Sequence, residues 1–202
     1  MAPREFLQIV YRMPAKPTAG RVAVWRTLKK AGAIYLQDSV CVLPDTEVTR
    51  AELDTVLQRI DESDGGSYHL LPLVELPEAE EAKLVQLFVD QTTKHYAEIV
   101  EDCEVNFVKE IEFENFRQNY TYEEAEEIRM EYEKICTWYE RVQERDWFGA
   151  PNEAEARDWL RRCESLLEEF EAKVFELQGG EGDVAERAHL RALPTEAGEA
   201  SA

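Results

Sequence analysis

Residues 6–44 read FLQIVYRMPAKPTAGRVAVWRTLKKAGAIYLQDSVCVLP, and this stretch decides the fold. Phe6 to Tyr11 are mostly apolar and β-prone, which predicts a strand. Pro14, Pro17 and Gly20 break the chain behind it. Thr18 is the expected N-cap of a helix running to about Ala31. On that helix Val24, Leu28 and Ala31 share one face with Trp25 at its edge, while Arg26, Lys29 and Lys30 point the other way. Gly32 supplies the stop, because glycine takes the left-handed conformation at a helix end without a Cβ penalty. AIYLQ and VCVL then flank Asp38-Ser39, the spacing of a tight hairpin.

Further along, Pro44-Asp45-Thr46 opens a second helix whose buried stripe is Leu53, Val56, Leu57 and Ile60. Asp64-Gly65-Gly66 ends it. SYHLLPLVEL (67–76) reads as a last strand, in which Pro72 marks an edge or a bulge because proline cannot donate to a ladder. The order β-α-β-β-α-β is the ferredoxin-like pattern, so the fold class is α+β. Both helices are expected on one face of a four-stranded antiparallel sheet. The opposite face is either covered by another part of the chain or is a binding surface.

From Pro77 the period is helical throughout. Leu84, Phe88, Tyr96, Ile99, Cys103, Phe107 and Ile111 step along one face, with polar Thr92 in the gap. After a break at Asn115–Tyr120, Thr121-x-x-Glu124 has the form of a capping box. The next helix carries Ile128, Tyr132, Ile135, Tyr139 and Val142. RDWFGAPN (145–152) breaks it, with Asn152 as the next N-cap. The last stripe is Ala156, Leu160, Cys163, Leu167, Phe170, Val174 and Leu177. Stripes need partners, so a helical extension of about three antiparallel helices is expected. The domains expected are therefore 1–76, ferredoxin-like; 77–178, helical extension; and 179–202, a disordered Gly-, Ala- and Glu-rich tail.

The chain has 202 residues, 44% hydrophobic and 33% charged, enough for a core without staples. Its formal net charge of -20 argues against wholesale wrapping around nucleic acid or an anionic membrane, but not against a local basic site. Residues 1–30 hold seven basic residues and a single acid, whereas residues 77–202 hold 14 bases and 33 acids. Cys41, Cys103, Cys136 and Cys163 form no C-x-x-C pair and read as reduced thiols. No apolar run is long enough to span a bilayer, and the N-terminus lacks signal-peptide order, so a cytoplasmic protein without membrane association is expected.

The basic N-terminal segment is the best functional signal. Arg12 falls at the exit of the first strand and Arg21 in the first turn of the helix. Two guanidiniums beside a helix N-terminus can grip a phosphate, sulfate or similar oxyanion by forked hydrogen bonds. The bland alternative pairs them with glutamates of the extension. Lys16 lies in the intervening loop, and Arg26, Lys29 and Lys30 form a second patch that either contacts DNA phosphates or is a solvated face. Trp25, Trp138, Trp147 and Trp159 are expected in the core, Gln37 is expected to cap the hairpin, and Cys41 reads as a small core residue. Glu186-x-x-His189 stands alone, His69 and His95 lack ligand-spaced partners, and the acidic run Glu123, Glu124, Glu126, Glu127 reads as a solvated face. There is no P-loop, G-x-S-x-G or G-x-G-x-x-G, so no catalytic residue, metal ligand or cofactor is assigned.

The string VYRMPAKPTAGRVAVWRTLKKAGAIYLQDSVCVLP (10–44) resembles the N-terminal domain of the chromate-resistance regulator ChrB, as do NYTYEEAEE (119–127) and RDWFGAP (145–151). The likeness covers about residues 6–178. It implies a cytoplasmic bacterial protein tied to chromate efflux and a chromate-responsive transcriptional regulator that is not an enzyme. It makes Arg12, Arg21, Arg26 and Lys29 candidates for DNA or oxyanion contact. Longer ChrB proteins carry a second, C-terminal domain, and this chain is expected to lack it. The first block also resembles, more distantly, the C-terminal region of the repressor PaaX and the small CRISPR-associated ferredoxin-like nuclease. That nuclease places a metal-binding Asp after its first strand; Tyr11-Arg12 stands here and an Arg repels a metal, so the nuclease reading is dropped. Expected partners are DNA, a chromate or sulfate oxyanion, and a second copy of the chain. The rival reading is a non-enzymatic accessory protein whose acidic helices dock a protein partner.

Overall fold

The structure, a computed structural model, describes residues 5–16 and 18–191. The chain divides into two compact units: residues up to His95 with Arg141–Glu153, and Tyr96–Glu140 with the residues from Ala154 on.

The first unit is built on a four-stranded antiparallel sheet. Its elements are β1 (Phe6–Arg12), α1 (Thr18–Lys30), β2 (Ile34–Gln37), β3 (Val40–Pro44), α2 (Glu47–Asp61) and β4 (Ser67–Leu73), followed by the start of α3 (Glu78–Glu101). The strand order is β2-β3-β1-β4. β1 pairs with β3 from Phe6↔Pro44 to Val10↔Val40, and with β4 from Phe6↔Leu73 to Arg12↔Ser67. Pro72 sits on the edge strand β4, where its missing donor is tolerated.

Both faces of the sheet are covered. Because side chains alternate along a strand, Leu7 and Ile9 go to one side and Phe6 to the other. Leu7, Ile9, Cys41 and Leu43 pack with Val24, Leu28 and Ala31 of α1 and with Leu53, Val56, Leu57 and Ile60 of α2. Each such large apolar side chain contributes about 1.5–3 kcal/mol on full burial. On the opposite face Phe6, Ile34 and Val42 pack with Phe88 of α3, flanked by Leu84, Val85, Trp147 and Phe148. Phe6 stacks on Phe88 at 6.0 Å, and Trp147 meets Phe88 edge-on at 5.7 Å. The second face is thus covered around Phe6, Ile34 and Val42, while Gln8 and Val10 are half-buried and Leu71 and His69 of β4 are exposed. Of the four tryptophans expected in the core none is fully buried: Trp25 is 49% exposed, and Trp138, Trp147 and Trp159 are half-buried.

The junction at Gly32 ties these layers together. Ala33 N–H donates to the Leu28 carbonyl and Gly32 N–H to that of Lys29, the paired bonds of a Schellman ending. Gly32 has φ +85°, and a Cβ there would lie 2.9 Å from the Trp147 ring. Arg145 donates to the carbonyls of Lys29 and Lys30, placing a cation at the negative end of α1. Asp146 in turn accepts from the amides of Gly149 and Ala150, which folds the 145–151 turn back on itself.

The second unit is helical. It holds the end of α3, a π-helical turn at Asp102–Phe107, α4 (Val108–Arg117), α5 (Tyr122–Gln143) and α6 (Glu153–Arg191). Ile99, Cys103, Phe107 and Ile111 are buried, as are Ile128, Ile135 and Tyr139 of α5 and Ala156, Leu160, Cys163, Leu167, Phe170 and Val174 of α6. Tyr96 meets Tyr139 at 5.7 Å, Phe107 meets Tyr132 at 5.9 Å, and Tyr120 meets Phe170 at 5.5 Å. Thr121 caps α5 by accepting from the Glu124 amide. Three expectations change. Leu177 is 53% exposed, outside the buried stripe. The π-turn, with Val108 N–H bonded to the Cys103 carbonyl, is not foreseen by the spacing. The backbone of α6 is helical through Gly179 and Gly180 to Arg191, where a disordered tail was expected; residues 192–202 lie outside the described residues.

All four cysteines are free thiols. Burial pushes Cys41 up to about 12, and hydrogen bonding to Cys103 together with burial pushes Cys163 up. Only Cys136 is partly exposed. A neutral-pH thiol titration of the native protein should therefore label Cys136 first, and all four should react at equal rates only in denaturant. Gly32→Ala should destabilise the fold by about 1–3 kcal/mol in urea unfolding, since it meets both the left-handed backbone and the Trp147 ring. Gly65→Ala is the control. It also has positive φ, but nothing lies within 4 Å of the added Cβ, so it should cost less.

A cationic cleft as the candidate functional site

Where β1 ends, the chain turns out to the surface and opens a cleft of about 750 Å³. Tyr11, Arg12 and Met13 form one wall and Arg21, Val22, Trp25 and Lys29 of α1 another. Tyr35 and Gln37 of β2, with Asp38 and Ser39 of the hairpin, close it. Helical geometry explains the α1 wall. Arg21, Trp25 and Lys29 are spaced i, i+4, i+8 and therefore share a face. The hairpin is held against β1 by the Tyr11 N–H bond to the Ser39 carbonyl, with Ser39 at φ 62°.

The six basic residues singled out in the sequence divide into two groups. Arg12, Arg21 and Lys29 line the cleft. Lys16, Arg26 and Lys30 are exposed and lie outside its lining. Lys29 was expected on the outer face with Arg26; instead its ammonium sits 5.2 Å from the centre of the Tyr35 ring, a cation–π contact. Among the described residues none of the six forms an ion pair. Lys30 lies near Glu52, whose carboxyl is raised by burial and partly lowered again by Lys30 and Arg145.

The uncharged lining is chemically matched to an anion. The Tyr11 and Tyr35 hydroxyls lie 3.0 Å apart. Burial raises both phenols, most strongly Tyr35, where the bond to Tyr11 adds to it. Both are neutral at neutral pH, and because one hydroxyl donates to the other, the pair leaves a single O–H for a visitor. Asp38 is the one carboxylate among the lining residues. The residues missed in the sequence are Tyr11, Tyr35 and Trp25. Gln37, assigned to the hairpin, also reaches the lining. The i, i+4, i+8 spacing from Arg21 carried the signal for Trp25 and Lys29.

A second polar cluster lies in the helical unit. Glu110, Glu114 and Glu124 each bring an oxygen within 4.8 Å of the others, a set that could hold a cation. Glu114 is only 2% exposed, yet its carboxylate already accepts from Arg117 and Asn119, and Glu124 shares the same Asn119 amide. That network accounts for the cluster without an ion. It also corrects the view of the 123–127 run as wholly solvated: Glu124 is partly buried, and burial with the charges of Glu114 and Glu127 raises its carboxyl.

Among the described residues no helix is long and apolar enough to cross a membrane. No curated protein matches the chain. The family described as "Protein ChrB, N-terminal" matches residues 21–181, which takes in Arg21, Trp25, Arg26, Lys29 and Lys30 of α1, the hairpin, the 145–151 turn and the helical unit, with Arg12 and Lys16 just upstream. Spanning both units and most of the chain, that match makes this protein a member of the ChrB N-terminal family.

Proposed function

We propose that this protein is a cytoplasmic, non-enzymatic regulator associated with chromate resistance, built on a ferredoxin-like βαββαβ domain followed by a helical extension. It contacts DNA phosphates or a chromate-like oxyanion through its N-terminal cations. The observation that carries this reading is the convergence of Arg12 and Arg21 on one open cleft with no ion pair on either among the described residues. A guanidinium without an ion pair, beside a phenol pair with one free O–H, is suited to a tetrahedral oxyanion. Lys16, Arg26 and Lys30, exposed nearby in sequence, extend the positive surface for phosphates.

A second reading has its own observation. In the helical unit a groove of about 570 Å³ is edged by Asp102, Glu110, Glu124, Glu127 and Glu131 over Phe107, Ile128 and Ile135. Such a surface suits a basic protein partner, and the protein would then act by docking rather than on DNA.

A gel shift on DNA upstream of the protein's own operon, at low and moderate salt, with and without chromate, separates these. The first reading expects binding that weakens steeply with salt, since each neutralised phosphate releases counterions. Arg12→Ala with Arg21→Ala should lower the slope of log K against log salt by about 2, roughly one per lost phosphate contact. The absence of a shift in every condition would sink DNA contact and leave the docking reading, for which charge reversal at Arg26 and Lys29 leaves partner capture intact.

A further inference from the structure

Trp25 is the unexplained residue of the cleft. It is 49% exposed although tryptophan is usually mostly buried, and it lines a cavity whose other walls carry cations. The cavity, at about 750 Å³, falls in the range of sites that enclose a ligand of drug size. A lone sulfate or chromate is far smaller and has no use for an indole or for the apolar Met13 and Val22 beside it. Tyr35 has Lys29 over its ring, and Tyr11 and Tyr35 are half-buried against the core, so the Trp25 indole is the most exposed aromatic of the lining.

We infer that the cleft takes a nucleotide unit, an aromatic base stacked on Trp25 with its phosphate held by Arg12 and Arg21. This deepens the cationic-cleft reading and rests on it. The elements match the chemistry that recognises nucleotides elsewhere. Indole faces stack on any base, and guanidinium forks grip phosphate oxygens without selecting sequence. The Tyr11 and Tyr35 hydroxyls and the Gln37 amide line the same cleft and provide neutral donors for sugar or phosphate oxygens. The unit comes either free, as a mononucleotide, or as an unpaired residue of a strand. The ligand chemistry is the same in both cases.

Isothermal titration of the full chain with adenosine monophosphate, adenosine and sodium sulfate, at one ionic strength, tests it. Adenosine monophosphate should bind about tenfold or more tighter than either adenosine or sulfate, because only it uses both halves of the cleft. Trp25→Ala should weaken it by about 5- to 100-fold, the range for losing one base stack, and leave sulfate affinity unchanged. Trp25→Phe should restore most of the loss. Since Trp25 is half exposed, its variants should melt with the parent, and a thermal scan checks this. Arg12→Ala with Arg21→Ala should weaken both anions. In a parallel arm, a single-stranded oligonucleotide that binds tighter than adenosine monophosphate, and loses affinity in Trp25→Ala, supports the strand as the source. Weaker binding with the same Trp25 dependence supports the free nucleotide. Sulfate binding as tight as adenosine monophosphate, or nucleotide affinity indifferent to Trp25→Ala, overturns the inference and leaves the oxyanion reading standing. Binding of neither anion overturns both.

Discussion

The start of β1 is buried on both faces, and much of the first unit follows from that. Phe6 goes to one layer and Leu7 and Ile9 to the other, so the central strand needs a cover on each side. Helices α1 and α2 supply one. The other comes from Phe88 of α3 with Trp147 and Phe148, from parts of the chain about 80 and 140 residues away from Phe6. This is why RDWFGAP is more than a helix break. Its aromatic pair closes the core, its Arg145 caps α1, and its Trp147 forbids a side chain at Gly32. The same alternation decides where function can sit. Burial falls along β1 from Phe6 to Arg12, and the strand ends at Tyr11 and Arg12, where α1 and the hairpin leave space.

Local patterns made the first unit legible. The α2 stripe Leu53, Val56, Leu57 and Ile60 is buried to the residue, and Pro72 stands on an edge strand. Both are signals contained within one element. The cover on the second sheet face was not legible, because it depends on Phe88 and Trp147 meeting Phe6 across long sequence separations, and no period encodes such a meeting. The π-turn at Asp102–Phe107 escaped for a different reason. It inserts an offset into a helix whose apolar residues still fall every four positions, as Cys103, Phe107 and Ile111 do, so burial stays continuous while the hydrogen bonding changes.

At the candidate site, charge was legible and shape was not. Arg12 and Arg21 stand out as cations beside a helix start, and both line the cleft. Lys29 was misplaced because an i+8 step from Arg21 returns it to the same face, whereas proximity to Arg26 and Lys30 in sequence suggests the opposite one. Trp25 was misplaced because average burial favours the core for an indole. Its surroundings at the cleft mouth reverse that preference, and only the fold reveals them.

A net charge of -20 looks hostile to any anion site, yet the two facts act over different ranges. At physiological ionic strength the field of a charge fades over about 8 Å, so most of the carboxylates on the helical unit's exposed faces are screened from any point well beyond that distance. What an anion meets inside a cleft is set by the groups lining it. There, three cations line the cleft with a single carboxylate, and the two phenols add no charge. The bulk charge then acts mainly on approach, slowing encounter with polyanions at low ionic strength, a repulsion that added salt relieves. A small anion, with little charge to be repelled and one pocket to fill, is penalised least by this arrangement. A chain that is strongly acidic as a whole therefore still carries a cleft whose lining is net positive at the end of its central strand.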